Sequence, residues 1–369
     1  MKLERVTLHF VEMELVRPFE TSFGREVRRP AIVVEAQAEG FTGWGECVAG
    51  SGPWYAYETV NTAHHVLKDY LIPRLLEADW THPSHVPGLV GAVRGHGMAK
   101  ACLEAACWDA WSQGQGVSLA QALGGVKSEI QSGVSVGVQR DQAALLRVVA
   151  QHLEQGYRRV KIKIKPGWDL EVAGAVRRAF PALPLQVDAN AAYTLEDAAL
   201  FKALDALGLL MVEQPLGYGD LADHAQLQAQ LKTPLCLDES LKTRDDVKAM
   251  LALGSGRIVN IKPGRVGGLT SAVAIHDLCR SANVPVWCGG MLETGVGRAA
   301  NVALASLPGF TLANDLSASD RYYKQDLIEQ AFVLNPNGTL SVPQGPGLGV
   351  EVERAALDAV CQHREVFGS

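Results

Sequence analysis

From residue 132 onward, short apolar runs rich in β-branched residues recur at a regular interval: SGVSVGV, RRVKIKI, LPLQVDA, LLMVEQP, TPLCLDE, RIVNIKP, VPVWCGG and FTLANDL. Turn residues bound each run, and each ends on a polar residue or a glycine. Between them, DQAALLRVVAQHLEQG and TLEDAALFKALDALG show helical periodicity, with Asp or Thr cap signals at the start and Gly156 and Gly208 as stops. Strand and helix in alternation predict βαβ units and a parallel sheet. The near-continuous apolar character of the strands predicts cover on both faces. Eight units in about 190 residues favour a closed TIM-type (β/α)8-like barrel over an open doubly wound sheet, the alternative that strand count leaves open.

The flanks break this pattern. VTLHFVEMEL and AIVVEAQAEG alternate with period two and predict antiparallel strands in residues 1–60, while residues 56–125, including MAKACLEAACWDAWSQGQ, predict helices. After residue 330 come a hairpin-like NPNG (335–338) and the Gly/Pro-rich QGPGLGV. The expected organisation is an α+β capping domain over 1–125, a catalytic barrel over 126–325, and a C-terminal segment, 326–369, returning to the cap.

Composition narrows the function classes. The net charge of −6 argues against a polybasic nucleic-acid or membrane-surface binder. No apolar run reaches the ~20 residues that span a bilayer, and the charged, alternating N-terminus does not read as a secretory signal. Seven scattered cysteines without a C-x-x-C predict reduced, packed thiols and a cytoplasmic protein. The pairs His64–His65 and His82/His85 lack a third ligand nearby, so a metal role for them is disfavoured.

The polar strand ends carry the candidate chemistry, because barrel active sites form at the C-terminal ends of the strands. Successive strands end on Lys163, Asp188, Glu213, Asp238 and Lys262, at intervals of 25, 25, 25 and 24 residues. Equal spacing places these groups at one height around the mouth. Three converging carboxylates do not all stay ionised without a cation. Oxygen donors without His or Cys favour a hard ion, and Mg²⁺ fits best. The bland alternative is three unrelated acids capping helices. Lys161, Lys163 and Lys165 alternate with isoleucines, so the lysines share one face. Crowded amines beside a cation are expected to have depressed pKa values, as suits a general base. Lys262, four strands on, lies across the mouth. Two amines flanking a carbon beside a metal suit proton abstraction α to a carboxylate, with the charge of the enediolate stabilised where it develops.

At these residues the chain resembles the enolase superfamily, muconate-lactonizing subgroup. The matching elements are K-x-K at Lys161/Lys163, DAN (188–190), EQP (213–215), DE (238–239) and NIK (260–262). AACWDAWSQGQGVSLAQALGG (105–125) is similar to a subgroup signature, with Ser118 where proline is usual. RPFETSFG, EQGYRRVKIKIKPGWD, VPVWCGGMLETGVGRA and SASDRYY carry the likeness to the N-acylamino acid racemase and o-succinylbenzoate synthase branch. The fold implied is a modified (β/α)7β barrel with a cap. The resemblance implies Mg²⁺, with Mn²⁺ or Co²⁺ as substitutes, on Asp188, Glu213 and Asp238. It implies Lys163 and Lys262 as the acid/base pair, the pairing generally described for this superfamily. Lys161 would lower the pKa of Lys163 and contact the substrate carboxylate; Asn190 would contact substrate, and Glu239 would stand behind the ligands. Phe19, Phe23 and Tyr55 would line an apolar pocket, and Ser135, Gly289, Met291 and Asp315 would contact substrate.

The implied reactions are racemisation of N-acyl (N-succinyl) amino acids and the dehydration of menaquinone biosynthesis that forms o-succinylbenzoate. The implied partner is a small-molecule carboxylate, with no nucleic acid or membrane, in a homo-oligomer (dimer or octamer). Cys288-Gly289-Gly290 offers no histidine base, which disfavours the mandelate racemase pattern. Asp315-Leu316-Ser317 lacks the D-x-D of dipeptide epimerases; these and muconate cycloisomerases are alternatives within the subgroup. A phosphate-binding barrel is the rival from another class, resting on the glycine turns PGRVGG (263–268) and TGVGRA (294–299). A binding protein without chemistry is the other.

Overall fold

The alternating N-terminal segment forms a meander of long antiparallel strands in the computed structural model, which describes residues 1–368. Strands β1 (Leu3–Glu20), β2 (Arg25–Ala38) and β3 (Phe41–Cys47) pair in sequence. Glu39 and Gly40, at φ 51° and 84°, turn the chain between β2 and β3, since such hairpin turns need positive φ. One sheet face, with Val6, Leu8, Ile32, Val34 and Cys47, packs against helices of residues 60–76 and the helix Gly97–Gly114. That helix lies close on β3 because Gly43 and Gly45 present no side chain. A Cβ at Gly45 would sit 1.9 Å from the carbonyl oxygen of Cys102. The helix is buried on most of its surface, wedged between the sheet and the barrel. Ser118 has a local job: its hydroxyl accepts from Gln121 N–H and the Gln121 side chain returns to the Ser118 N–H, capping helix Leu119–Leu123.

After a short strand β4 (Glu129–Gln131) come seven parallel strands: β5 (Val134–Val136), β6 (Val160–Lys163), β7 (Leu185–Asp188), β8 (Met211–Glu213), β9 (Leu235–Leu237), β10 (Ile258–Ile261) and β11 (Val286–Cys288). They pair in chain order in one sheet. Helices cover the outer face, and Asp141 caps Gln142–Glu154 as expected, accepting from Ala144 N–H.

The structure departs from the sequence expectation at the eighth strand. FTLANDL makes only isolated bridges, Val286↔Phe310 on one side and Ser132↔Asn314 on the other. Backbone bonds from Asn314 to Gln131, from Gly133 to Asn314 and from Asp315 to Cys288 join it to both neighbours, and the Asn314 side chain adds to them, accepting from Cys288 N–H and donating to the Gln131 carbonyl. This segment therefore closes the ring without becoming a strand. NPNG also differs. It turns at Asn335–Gly338 and leads into β12 (Thr339–Ser341), but β12 pairs with β4, far away in sequence. The final strand, β13 (Cys361–Gly368), lies antiparallel to β1 in the cap sheet. All seven cysteines are free thiols, six of them buried. Among the described residues no helix is long and apolar enough to cross a membrane.

Candidate active site

Period-two alternation on β6 turns Lys161 and Lys163 into the barrel, in register with Gln186 and Asp188 of β7. Asp188 is in turn level with Glu213 of β8. Lys163 Nζ donates to Asp188 Oδ2 at 2.6 Å and Asn190 Oδ1 at 2.7 Å. Lys161 Nζ stands 2.5 Å from Asp315, 2.9 Å from Glu213 and 3.1 Å from Asp188. At the end of β10, Lys262 Nζ donates to Asp238 Oδ2 at 2.8 Å and to the Tyr55 hydroxyl at 3.1 Å. β7, β8 and β9 separate β6 from β10, so the amines of Lys163 and Lys262 reach one cavity from opposite sides of the barrel mouth.

That cavity lies between cap and barrel. Phe19, Phe23 and Tyr55 line it from the cap, and Ser135, Lys161, Asn190, Met291 and Asp315 from the barrel. The pocket is less apolar than the sequence suggested, because the Tyr55 hydroxyl donates to Asp238 Oδ1 at 2.9 Å. Ser135 Oγ is buried without a partner. Asp315 faces the cavity, but its carboxylate is held by Lys161 and, at 2.6 Å, by Arg159. Asp188, Glu213, Asp238 and Glu239 are buried behind this lining, and Glu239 accepts from the Asn190 amide at 3.0 Å. Gly289 does not line the cavity; its neighbour Gly290 does. A Cβ at Gly289 would meet Asn260 Oδ1 at 2.4 Å and Lys262 Cε at 2.6 Å, so Gly289 makes room for the lysine stem.

The acids also set the electrostatics of the amines. Lys161 and Lys262 are held above the ordinary lysine range. Burial alone would lower both. Asp315, Glu213 and Asp188 outweigh it around Lys161, and Asp238 followed by Tyr55 does so around Lys262. Burial pushes Asp188 upward, but Lys163 and Lys161 more than reverse it. Glu213 is pushed up to about 7, first by burial and then by the charge of Asp188, with Asp238 adding in the same sense.

Several participating residues escaped the sequence reading. Arg265 donates to Asp238 and to the carbonyls of Leu241 and Asn260. The Gln186 and Asn260 amides each donate to Glu213 at 2.8 Å. Both lie two residues before a predicted site residue, on the same inward face, and that spacing was the available signal. Gln214, at φ 36°, accepts from Asp238 N–H and Ser240 N–H and ties two strand ends together. Asn190 and Ala191 also have positive φ, 44° and 61°, a conformation that concentrates at functional sites.

The two glycine turns hold anions, but the anions belong to the chain itself. Glu104, from the cap helix, accepts from Leu269 N–H at 2.5 Å and Thr270 N–H at 3.1 Å at the start of helix Leu269–Ser281. Glu46 of β3 accepts from Thr294 N–H at 3.0 Å and Gly297 N–H at 2.9 Å at the start of helix Gly295–Ala305. The residues that suggested phosphate binding instead lock the cap to the barrel.

Asp188, Glu213 and Asp238 form an oxygen-only donor set, fully buried and sharing one electrostatic field, as the upward shift of Glu213 shows. That chemistry fits a hard divalent cation. Here lysines and Arg265 hold their oxygens, and among the described residues no three His, Cys, Asp or Glu side chains stand within reach of a common ion.

Comparison with known proteins agrees over the whole chain. Residues 5–124 match the mandelate racemase / muconate lactonizing enzyme N-terminal domain, and residues 144–356 match the enolase C-terminal domain-like family. An o-succinylbenzoate synthase of Geobacillus kaustophilus is 50% identical over 368 residues, covering 100% of this chain and 98% of that one. An N-succinylamino acid racemase of an Amycolatopsis species is 49% identical over 370 residues, covering 100% of both. The crystal structure of an enolase-superfamily member from Listeria innocua superposes with a TM-score of 0.96 at 41% identity, covering 100% of this chain and 99% of that one.

Proposed function

This chain belongs to the enolase superfamily, with both the N-terminal and C-terminal domains of the mandelate racemase / muconate lactonizing group, and on that premise we propose that it abstracts the proton α to a carboxylate, acting as an N-succinylamino acid racemase, an o-succinylbenzoate synthase, or both. The carrying observation is that Lys163 and Lys262 enter one cavity from opposite sides, above three buried acids.

Asp188, Glu213 and Asp238 would hold Mg²⁺. Held there, the ion would supply positive charge that acidifies the C–H next to the substrate carboxylate. Lys163 takes the proton from one face. For racemisation, Lys262 returns a proton to the other face, and the pair exchange roles in the reverse direction. For dehydration, Lys163 takes the proton and then gives it to the departing hydroxyl on the same face, while Lys262 stabilises the enediolate as a cation. Lys161, fixed by Asp315, adds positive charge to the floor. Cap residues such as Phe19, Phe23 and Tyr55 line the cavity, and exclusion of water by them would strengthen each of these interactions.

The test is to incubate the protein with Mg²⁺ and an N-succinyl amino acid in D₂O and follow the α-proton by NMR, in parallel with turnover of the cyclohexadiene precursor of o-succinylbenzoate. Deuterium incorporation at the α-carbon, lost on chelation, is the expected result. A chain that merely binds such molecules would leave the α-proton in place.

A further inference from the structure

The site so far explains how one carboxylate and its neighbouring carbon are handled at the barrel end of the cavity. The opposite end is built by the cap, and there stands a cation whose ion-pair partner, Glu26, does not reach hydrogen-bond distance. Arg29 of β2 is only 5% exposed and lines the cavity. Its NH2 donates to the Val48 carbonyl. Its NH1 lies 3.7 Å from Glu26, beyond hydrogen-bond reach, and beside Gly50, where a Cβ would lie 3.5 Å from it. Among the described residues it is the one cation that the cap contributes to the lining. The other cap carboxylate there, Glu58, is committed to the N–H groups of Met98 and Ala99.

A buried guanidinium is normally paired, because desolvating a charge without compensation is costly. Its rigid fork of donors matches the two oxygens of a carboxylate, as it does those of a phosphate. We propose that Arg29 is the receptor for a second, distal carboxylate of the substrate, so that the cavity selects dicarboxylates with one acid at the barrel floor and one under the cap. This rests on the proposed function, and it deepens it. The two products named for the relatives, an N-succinyl amino acid and o-succinylbenzoate, both carry a succinyl arm ending in such a group. Gly50 keeps the approach to the guanidinium open. Glu26 at the cavity edge opposes the incoming charge and so sets how strongly the arm is held.

The experiment compares kcat/KM for an N-succinyl amino acid with that for the same compound whose distal carboxylate is a neutral carboxamide. Wild-type protein is expected to prefer the acid by about 10–100-fold, the ratio of a charge-assisted contact to a neutral one. Arg29→Met should bring this ratio close to one, chiefly through KM for the acid. Arg29→Lys, a point charge, should give an intermediate ratio, and Glu26→Gln should widen it. A wild-type ratio near one overturns the proposal. So does a variant in which both substrates weaken equally, since that is the signature of a strut for Val48 and not a receptor. If Arg29→Met does not fold, the wild-type ratio and Arg29→Lys carry the test. α-Proton exchange with both compounds at equal efficiency refutes the receptor alone, while no exchange with either refutes the parent reading and the receptor with it.

Discussion

Asp188 and Asp238, at strand ends in the barrel mouth, and Glu46 and Glu104, set from the cap against the starts of two barrel helices, are all buried acids, but they are held in different ways. Amines hold the first pair. Lys163 and Lys161 outweigh the burial of Asp188, and Lys262 and Arg265 outweigh that of Asp238, so both titrate below the ordinary range. Neutral donors hold the second pair. Burial dominates there, N–H and hydroxyl groups offset it only in part, and both acids are pushed up to about 7. A carboxylate matched by side-chain cations can exchange partners with a metal or a substrate. One seated on a helix N-terminus is fixed by backbone geometry and serves as a joint.

The largest break in this comparison comes from the amines. Lys163→Ala or Lys262→Ala should lower α-proton exchange by about 10²–10⁴, the usual share of a general acid or base, with circular dichroism unchanged. Racemisation persisting in Lys262→Ala would rule out the two-base picture. Next is Asp238→Asn, which weakens the cation site and leaves Lys262 and Arg265 short of a counter-charge. A loss of about 10²–10³ in rate is expected for a displaced electrostatic stabiliser, with a shift of the Mg²⁺ activation curve to higher concentration.

The joints should respond in stability instead. A carboxyl that holds its proton more tightly folded than unfolded favours unfolding as pH rises. Glu46 and Glu104 should therefore lower stability as pH climbs from about 4.5 to about 7, by on the order of 3 kcal/mol each, and add no further slope above that window. Glu46→Gln and Glu104→Gln should each flatten that part of the profile in urea denaturation at fixed pH values. A wild-type minus variant difference that stays level between pH 5 and 8 would show that these acids are not the buried, proton-hungry groups described. The smallest effect belongs to Ser118→Ala, which removes a cap and should cost about 1 kcal/mol without touching exchange rate.

Much of this was legible in the chain. Strand and helix in alternation announced the parallel pairing, and the 25-residue beat put Lys163, Asp188 and Glu213 level on neighbouring strands, because one βα unit has a nearly constant length. Asp238 and Lys262 stand further along their strands than that beat implied, since Glu213 is level with Cys236 and Leu237 with Val259. Period-two alternation assigned Lys161 and Lys163 to the inner face. Residues acting across long sequence gaps were not legible. Arg265 reads as part of a glycine turn until Asp238 is beside it, and Glu104 reads as one charge in an apolar helix until Leu269 is above it. The eighth strand is reduced to isolated bridges joined in part through the Asn314 side chain, which no periodicity announces.

Sequence by itself determined which residues face the barrel axis and that they lie at strand ends, since that follows from local geometry repeated. Only the tertiary structure decided which amine meets which acid, that these acids hold Lys161 and Lys262 above the ordinary lysine range, and that Arg29 looks into the site. Charge interactions depend on distance and burial through space, and the order of residues along a chain sets neither.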